Sequence, residues 1–280
     1  MLHISTLYPG KRAFITGAAS GLGKAFCLHL AADGWTIIMT DNNAAALEEA
    51  KLVVEAAGAT VHSYVLDVTN RQAYETLTNT VIEKIGGIDL LINNAGVGVG
   101  DEMGDYPLDD WDWMIDINLK GVIYGCHLFM PMFKKQKAGA IINVSSLAAI
   151  VSPPGTASYN VTKAGVMALS ETLCSELDMY NVKIGCLMPA FFQTNLLEGS
   201  RGNEKLKQVA GKLMQKSGFT ATDVALEALE KTAKGKLFIL YPKQSRQLYI
   251  LKRLMPTRFR KLITAKWNEV KRKKLAKQAI

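Results

Sequence analysis

The chain has 280 residues, 49% hydrophobic and 21% charged, with a formal net charge of +8. That composition fits a soluble protein with a sizeable core, and no apolar run approaches the ~18 residues of a membrane span. The average charge hides a division: residues 243–280 hold thirteen bases and one acid, Glu269, for a net +12, whereas residues 1–242 carry a net −4.

Short apolar runs alternate with longer helical patterns. "RAFIT" precedes a helix expected over 21–33, and "TIIMT" precedes one over 43–57. "TVHSYVL" leads into 70–85, and "DLLIN" leads through a loop to one long helix near 109–136. "AIINVS" precedes a helix over 157–179, "KIGCLM" precedes a loop, and "KLFILY" comes last. Strands rich in Ile, Leu and Val without polar alternation predict burial on both faces, and hence a parallel sheet covered by helices. The expected class is α/β: a doubly wound, Rossmann-like sheet of seven strands with a basic helical extension. No repeat or low-complexity linker precedes residue 243, so one domain is expected over 1–242 and an extension over 243–280.

Cys27, Cys126, Cys174 and Cys186 are far apart, and three fall in core segments, so reduced thiols in a cytoplasmic setting are expected. The N-terminal stretch lacks the apolar segment of a secretory signal. His3, His29, His62 and His127 show no ligand spacing, and no metal is expected.

Gly17, Gly21 and Gly23 stand between the first strand and the first helix, in "ITGAASGLGKA". Glycines there let backbone approach a pyrophosphate, whose charge meets the free N–H groups of the helix start. Asp41 ends the second strand, where a carboxylate accepts from ribose hydroxyls and repels a 2′-phosphate. No base lies beside it in "TDNNA", and Ser20 fills the place before Gly21 where a base would bind that phosphate, so NAD is expected over NADP. Asp41 can also cap the following helix. Asp67, followed by Val68, either meets an adenine edge or caps a helix. In "INNAG", Asn93 can pin neighbouring strands, and Ala95–Gly96 leaves room for a cofactor beside Asn94. Tyr159 and Lys163, four apart, share one helical face. A cation beside a phenol lowers its pKa.

With these motifs in order, the chain resembles a short-chain dehydrogenase/reductase of the single-domain type over about residues 10–240. Thr16-Gly17-x-x-x-Gly21-Leu22-Gly23, Asn93-Asn94-Ala95-Gly96 and Tyr159-x-x-x-Lys163 carry that resemblance. It implies that Tyr159 exchanges a proton with a substrate alcohol or carbonyl oxygen, that Lys163 and the positive nicotinamide of the oxidised cofactor together lower the phenol's pKa, and that Lys163 holds the nicotinamide ribose. It further implies that Ser146, thirteen residues before the tyrosine, donates to the substrate oxygen, while Ser145 is structural. Asn118 matches the asparagine that fixes a water leading to Lys163. Pro189 and Thr194 match a loop packing on the nicotinamide, with Ala190 standing where the family usually has glycine. The family's habit of pairing its long helices implies a homodimer or homotetramer.

Residues 191–217 are expected to form a mobile lid. Phe191, Phe192, Leu196, Leu197, Leu206, Val209, Leu213 and Met214 make it apolar, and Val97, Val99, Met103 and Pro153–Pro154 ring the presumed mouth. Two readings stay open: a lipophilic substrate pocket, or lid residues that simply pack on the body. Beyond it the tail reads as two helices broken around Pro256, with Phe259, Leu262, Ile263, Trp267 and Val270 at helical spacing among bases. Peripheral contact with an anionic membrane, a subunit contact or flap, a solubilising tail and, least expected, nucleic-acid affinity all remain open.

The expected activity is an NAD-dependent alcohol dehydrogenase or carbonyl reductase acting on a lipophilic substrate. The alternatives are a fatty acyl thioester reductase and a non-catalytic NAD-responsive binding protein.

Overall fold

The computed structural model describes residues 4–98 and 100–278, with side chains described to Arg272. In chain order the elements are α1 (Ile4–Leu7), β1 (Arg12–Thr16), α2 (Gly21–Ala31), β2 (Thr36–Asp41), α3 (Ala44–Ala56) and β3 (Thr60–Val65). Then come α4 (Arg71–Ile85), β4 (Leu90–Asn93), α5 (Leu108–Ile115), α6 (Gly121–Gln136), β5 (Gly139–Val144), α7 (Ala148–Val151) and α8 (Ala157–Glu176). The chain ends in β6 (Val182–Pro189), α9 (Glu204–Lys216), α10 (Ala221–Ala233), β7 (Phe238–Tyr241), α11 (Ser245–Leu254) and α12 (Pro256–Gln278).

Among the described residues the seven expected strands form one parallel sheet in the order β3-β2-β1-β4-β5-β6-β7. Order reverses between β1 and β4, which opens a crevice at their C-terminal ends, where open α/β sheets bind ligands. One core layer places Phe26, Leu30, Leu47, Val54, Val224 and Leu229 of α2, α3 and α10 on one face. The other places Tyr74, Val81, Phe129, Phe133, Val166 and Leu173 of α4, α6 and α8 on the opposite face. Phe14 stacks on Tyr74 (5.9 Å) and tilts against Phe129 (5.0 Å), so β1 is gripped by two helices at once.

Three expectations need correction. Burial on both faces holds for the central strands, but β3 lies at the edge, and Thr60 and Val65 are exposed there. The single helix over 109–136 is broken by a π-helical turn, Asp116–Lys120, in which Gly121 N donates to Asp116 O, five residues back. The segment before β7 contains a helix, α10, that the apolar pattern does not predict. Its start is a capping box: Thr220 Oγ1 accepts from Asp223 N, and the Asp223 carboxylate accepts from Thr220 N.

As expected, Asn93 pins neighbouring strands. Its amide donates to Asn143 Oδ1 (2.8 Å) on β5, and Asn143 Nδ2 donates on to Ser170 Oγ (3.1 Å) on α8. Asn143 is fully buried, so Asn143→Leu leaves the Asn93 amide only the weak Cys126 Sγ acceptor and takes away the donor to Ser170 Oγ, with no water to replace either. It should cost about 1–3 kcal/mol of unfolding free energy. Urea denaturation checks this, and an unchanged midpoint contradicts it.

Candidate active site

The turn after β1 depends on glycine. Gly17 and Gly21 have φ of +63° and +50°, which β-carbon-bearing residues adopt at a cost. A β-carbon on Gly23 would lie 2.0 Å from Gly17 O. The first turn of α2 therefore packs directly on the loop. Asparagine or threonine side chains cap α3, α4, α9 and α10, whereas Ser20 makes no side-chain cap bond to α2. The first-turn N–H groups of α2, which follows β1, are thus left without a side-chain acceptor. Leu22 is buried beneath them, and Ser20 is exposed.

Asp41 is not a helix cap. Asn43 caps α3, accepting from Ala46 N, while Asp41 Oδ2 accepts from Ala19 N (3.1 Å) and Oδ1 from Asn43 N (3.0 Å). The carboxylate is thereby locked against the glycine loop. Asp67 is likewise replaced as a cap by Asn70, and its Oδ1 accepts from the backbone and hydroxyl of Thr69 instead. It stays exposed beside buried Val68, whose side chain lies against Gly121 at the end of the π turn.

Thr16, to which the sequence reading assigns no separate role, joins the two sides of the crevice. Its hydroxyl accepts from Asn94 N and Ala95 N, both at 3.0 Å, while Asn94 Nδ2 donates to the carbonyls of Thr16 and Gly17. Asn118 is fully buried and fully engaged: Oδ1 accepts from Val97 N (2.8 Å), and Nδ2 donates to Val97 O (2.9 Å) and Thr162 Oγ1 (3.4 Å). Its cost inside a helix is offset by clamping a loop backbone from the π turn. A β-carbon on Gly96 would meet Asn118 Oδ1 at 3.0 Å and Lys163 Nζ at 3.3 Å, so Gly96 roofs both groups.

Ser145 Oγ donates to Lys163 O (2.7 Å), a contact between β5 and α8 that makes Ser145 structural. Ser146 Oγ accepts from Ala148 N (3.1 Å), which leaves its own proton free to donate. Lys163 Nζ donates to Val144 O (2.9 Å) and lies 5.8 Å from the centre of the Tyr159 ring. Burial pulls the Lys163 ammonium down to about 8. Burial also raises the Tyr159 phenol above its ordinary value, and the Ser146 hydroxyl acts in the opposite sense. The lowering expected from Lys163 together with the oxidised nicotinamide is thus not reached by the protein's own groups, among which the Ser146 hydroxyl is what lowers the phenol.

Pro189 ends β6, and its carbonyl accepts from Leu147 N (2.9 Å). Ala190 is not among the non-glycine residues with positive φ (Lys11, Lys137, Ser152 and Asn181), so its side chain adds no backbone strain. Thr194 reaches back over the glycine turn: its Oγ1 lies 2.9 Å from where a β-carbon on Gly21 would stand.

The description "short chain dehydrogenase" belongs to the family model that matches residues 11–205. The chain belongs to the short-chain dehydrogenase family. It is 39% identical over 191 residues to the 3-oxoacyl-[acyl-carrier-protein] reductase of Thermotoga maritima, covering 68% of this chain and 77% of that one. A short-chain dehydrogenase/reductase from Burkholderia phymatum, solved in complex with NAD, superposes with a TM-score of 0.81 at 32% identity, covering 87% of this chain and 92% of that one. An NAD+-bound xylitol dehydrogenase gives a TM-score of 0.73 at 28% identity, over 83% and 97% of the two chains.

Around this short-chain dehydrogenase crevice, residues 191–217 are tied to the loop between β4 and α5 and to α5 at several points. Asn203 donates to the Asp101 carboxylate and to Gly100 O, and Arg201 pairs with Asp110 (3.0 Å) while lying over the Trp113 ring. Phe192 and Met214 are buried; Phe191, Val209, Leu213 and Met103 are exposed, and Leu196 lies against Gly98. Val99 lies outside the described residues. The apolar stripe expected on the tail is divided: Phe259 is buried, Ile263 and Trp267 are half-buried, and Leu262 and Val270 are exposed. Among the described residues no helix is long and apolar enough to cross a membrane.

Lys163 binds fewer protons folded than unfolded between pH 8 and about 10.4, so its contribution to stability rises with pH through that window. Lys163→Met removes this term. Wild type should gain on the variant from pH 8 to 10 in urea melts, and a constant difference would contradict the buried cation.

Proposed function

We propose that this short-chain dehydrogenase is an NAD-dependent alcohol dehydrogenase or carbonyl reductase acting on a lipophilic substrate. The observation that carries the reading is the convergence, at the strand ends flanking the crevice, of an uncapped glycine turn and a buried Lys163 beneath Gly96, with the Ser146 hydroxyl close enough to act on the Tyr159 phenol.

The residues present fit a nicotinamide dinucleotide. Gly17, Gly21, Leu22 and Gly23, with Ser20 at the helix start, would hold the pyrophosphate, and Thr194 above Gly21 would add a hydroxyl donor near the carboxamide. Asp41 would take the adenosine ribose hydroxyls, Asp67 and Val68 the adenine, and Asn94, Ala95, Gly96 and Pro189 the nicotinamide half. Bound there, the dinucleotide supplies or accepts the hydride. NAD is preferred because the Asp41 carboxylate, fixed by Ala19 N and Asn43 N, presents negative charge where a 2′-phosphate would lie.

Tyr159 handles the substrate proton, and Ser146, its oxygen already occupied by Ala148 N, donates to the substrate oxygen. Lys163 has three donors. With one on Val144 O, two remain for a ribose hydroxyl and a proton path to solvent. Because the Asn118 side chain is spent on Val97 and Thr162, a water leading to Lys163 would have to sit on its backbone carbonyl in the π turn. The phenol becomes a useful base only when a second positive charge, that of the oxidised nicotinamide, adds to the ammonium.

Exposed Phe191, Val209, Leu213 and Met103 favour an apolar substrate end. A second reading keeps the chemistry and changes the substrate to a 3-oxoacyl thioester, and the name of the Thermotoga relative favours it. Exposed Ile123 on α6 and Val161 on α8 suit pairing of the long helices into a homo-oligomer. A cytoplasmic location is the matching proposal.

Tyr159→Phe should lower kcat by about 10²–10⁴-fold with NADH affinity unchanged, as read by dinucleotide fluorescence. Full turnover in the variant would refute the assignment. Asp41→Ser should shift the NAD-to-NADP ratio of kcat/KM toward NADP by at least about tenfold, equal to about 1.4 kcal/mol. An unmoved ratio removes Asp41 as the discriminator.

A further inference from the structure

The matched family segment ends at residue 205, well before α12. Yet α12 reaches the loops around the crevice. A β-carbon on Gly155 would stand 3.3 Å from Cη2 of Trp267 and 3.2 Å from Cδ1 of Leu206, so the indole and the α9 leucine both lie over the backbone of Gly155. Gly155 is buried, has φ +80°, and lies four residues before Tyr159. One helical turn beyond Trp267, Lys271 Nζ pairs with Glu102 Oε1 (2.5 Å) in the loop between β4 and α5 while lying 5.4 Å above the indole. That loop is tied to the start of α9 through Asn203. The helix thus spans the three loops that follow β4, β5 and β6.

Phe259 is the buried anchor of α12, whereas Trp267 keeps part of its large apolar surface uncovered. A single i,i+4 lysine and one surface ion pair contribute little to stability, but they fix where the indole stands. α11 holds the base of the arm: Lys252 donates to Ile150 O on α7, and Tyr249 meets Phe238 of β7 (5.9 Å).

We propose that Trp267 is a specificity-determining residue: with Leu206 it forms the apolar far wall of the substrate site, selecting carbonyls and alcohols whose aliphatic chain reaches past Gly155. This rests on the oxidoreductase reading above and names the part of the substrate that this chain's own C-terminal helix recognises. Lys271 and Glu102 are positioning residues that hold the wall in place.

The test uses the full chain with Trp267→Ala, Lys271→Glu and the exchanged pair Glu102→Lys with Lys271→Glu. In steady-state kinetics with butanal and decanal, Trp267→Ala should raise KM for decanal about tenfold and leave butanal kinetics and NADH affinity unchanged. Lys271→Glu should do the same more weakly, and the exchanged pair should restore the wild-type chain-length preference. An equal effect on both aldehydes, or none, overturns the proposal.

A second measurement needs no turnover: calorimetric binding of 1-decanol to the NADH-loaded protein, in which alcohol and reduced dinucleotide cannot react. Trp267→Ala should weaken that binding about tenfold, and equal affinity overturns the wall. Should wild type turn over neither aldehyde, the activity reading fails while the calorimetry still decides on Trp267.

Discussion

The site rests on one buried cation. Lys163 lies beneath Gly96, where its ammonium has exchanged water for the Val144 carbonyl and burial has pulled its pKa down to about 8. Holding a charge in such a place requires close backbone on every side. Gly96 supplies the roof, Ser145 fixes the Lys163 carbonyl, and Asn118 clamps the Val97 loop alongside.

The same desolvation explains why the pair is not self-sufficient. Burial moves Tyr159 up and Lys163 down, in each case favouring the neutral form. A catalytic phenol needs the reverse, so on this account the polypeptide supplies geometry and the oxidised nicotinamide supplies the remaining positive charge.

Much of this was legible in the sequence, and the reasons are local. Unbroken Ile, Leu and Val runs fix the central strands, because only double-sided burial tolerates them, and the glycine turn follows from backbone that side-chain-bearing residues cannot adopt. What was hidden depends on geometry beyond periodicity. The π turn adds one residue to a helix whose apolar pattern reads as continuous. Asp41 and Asp67 look like helix caps until Asn43 and Asn70, two and three residues on, are seen taking that role. Helix α10 buries mostly alanine and threonine beside Val224 and Leu229, which blunts its stripe, although its Thr220–Asp223 box marks the start. The direction of the Tyr159 shift could not be read from a four-residue spacing, which fixes proximity but not desolvation. The tail was the least legible part: half of one apolar stripe turns to the body and half to solvent, a division set by contacts more than a hundred residues away.

The central claim concerns one phenol, and its titration tests that claim most directly. Tyrosine ring-carbon NMR shifts followed against pH, with Tyr159→Phe identifying the resonance, should place the Tyr159 pKa above the ordinary value of about 10 in the protein alone and well below it with NAD+ bound. A pKa unmoved by the oxidised dinucleotide would contradict the account.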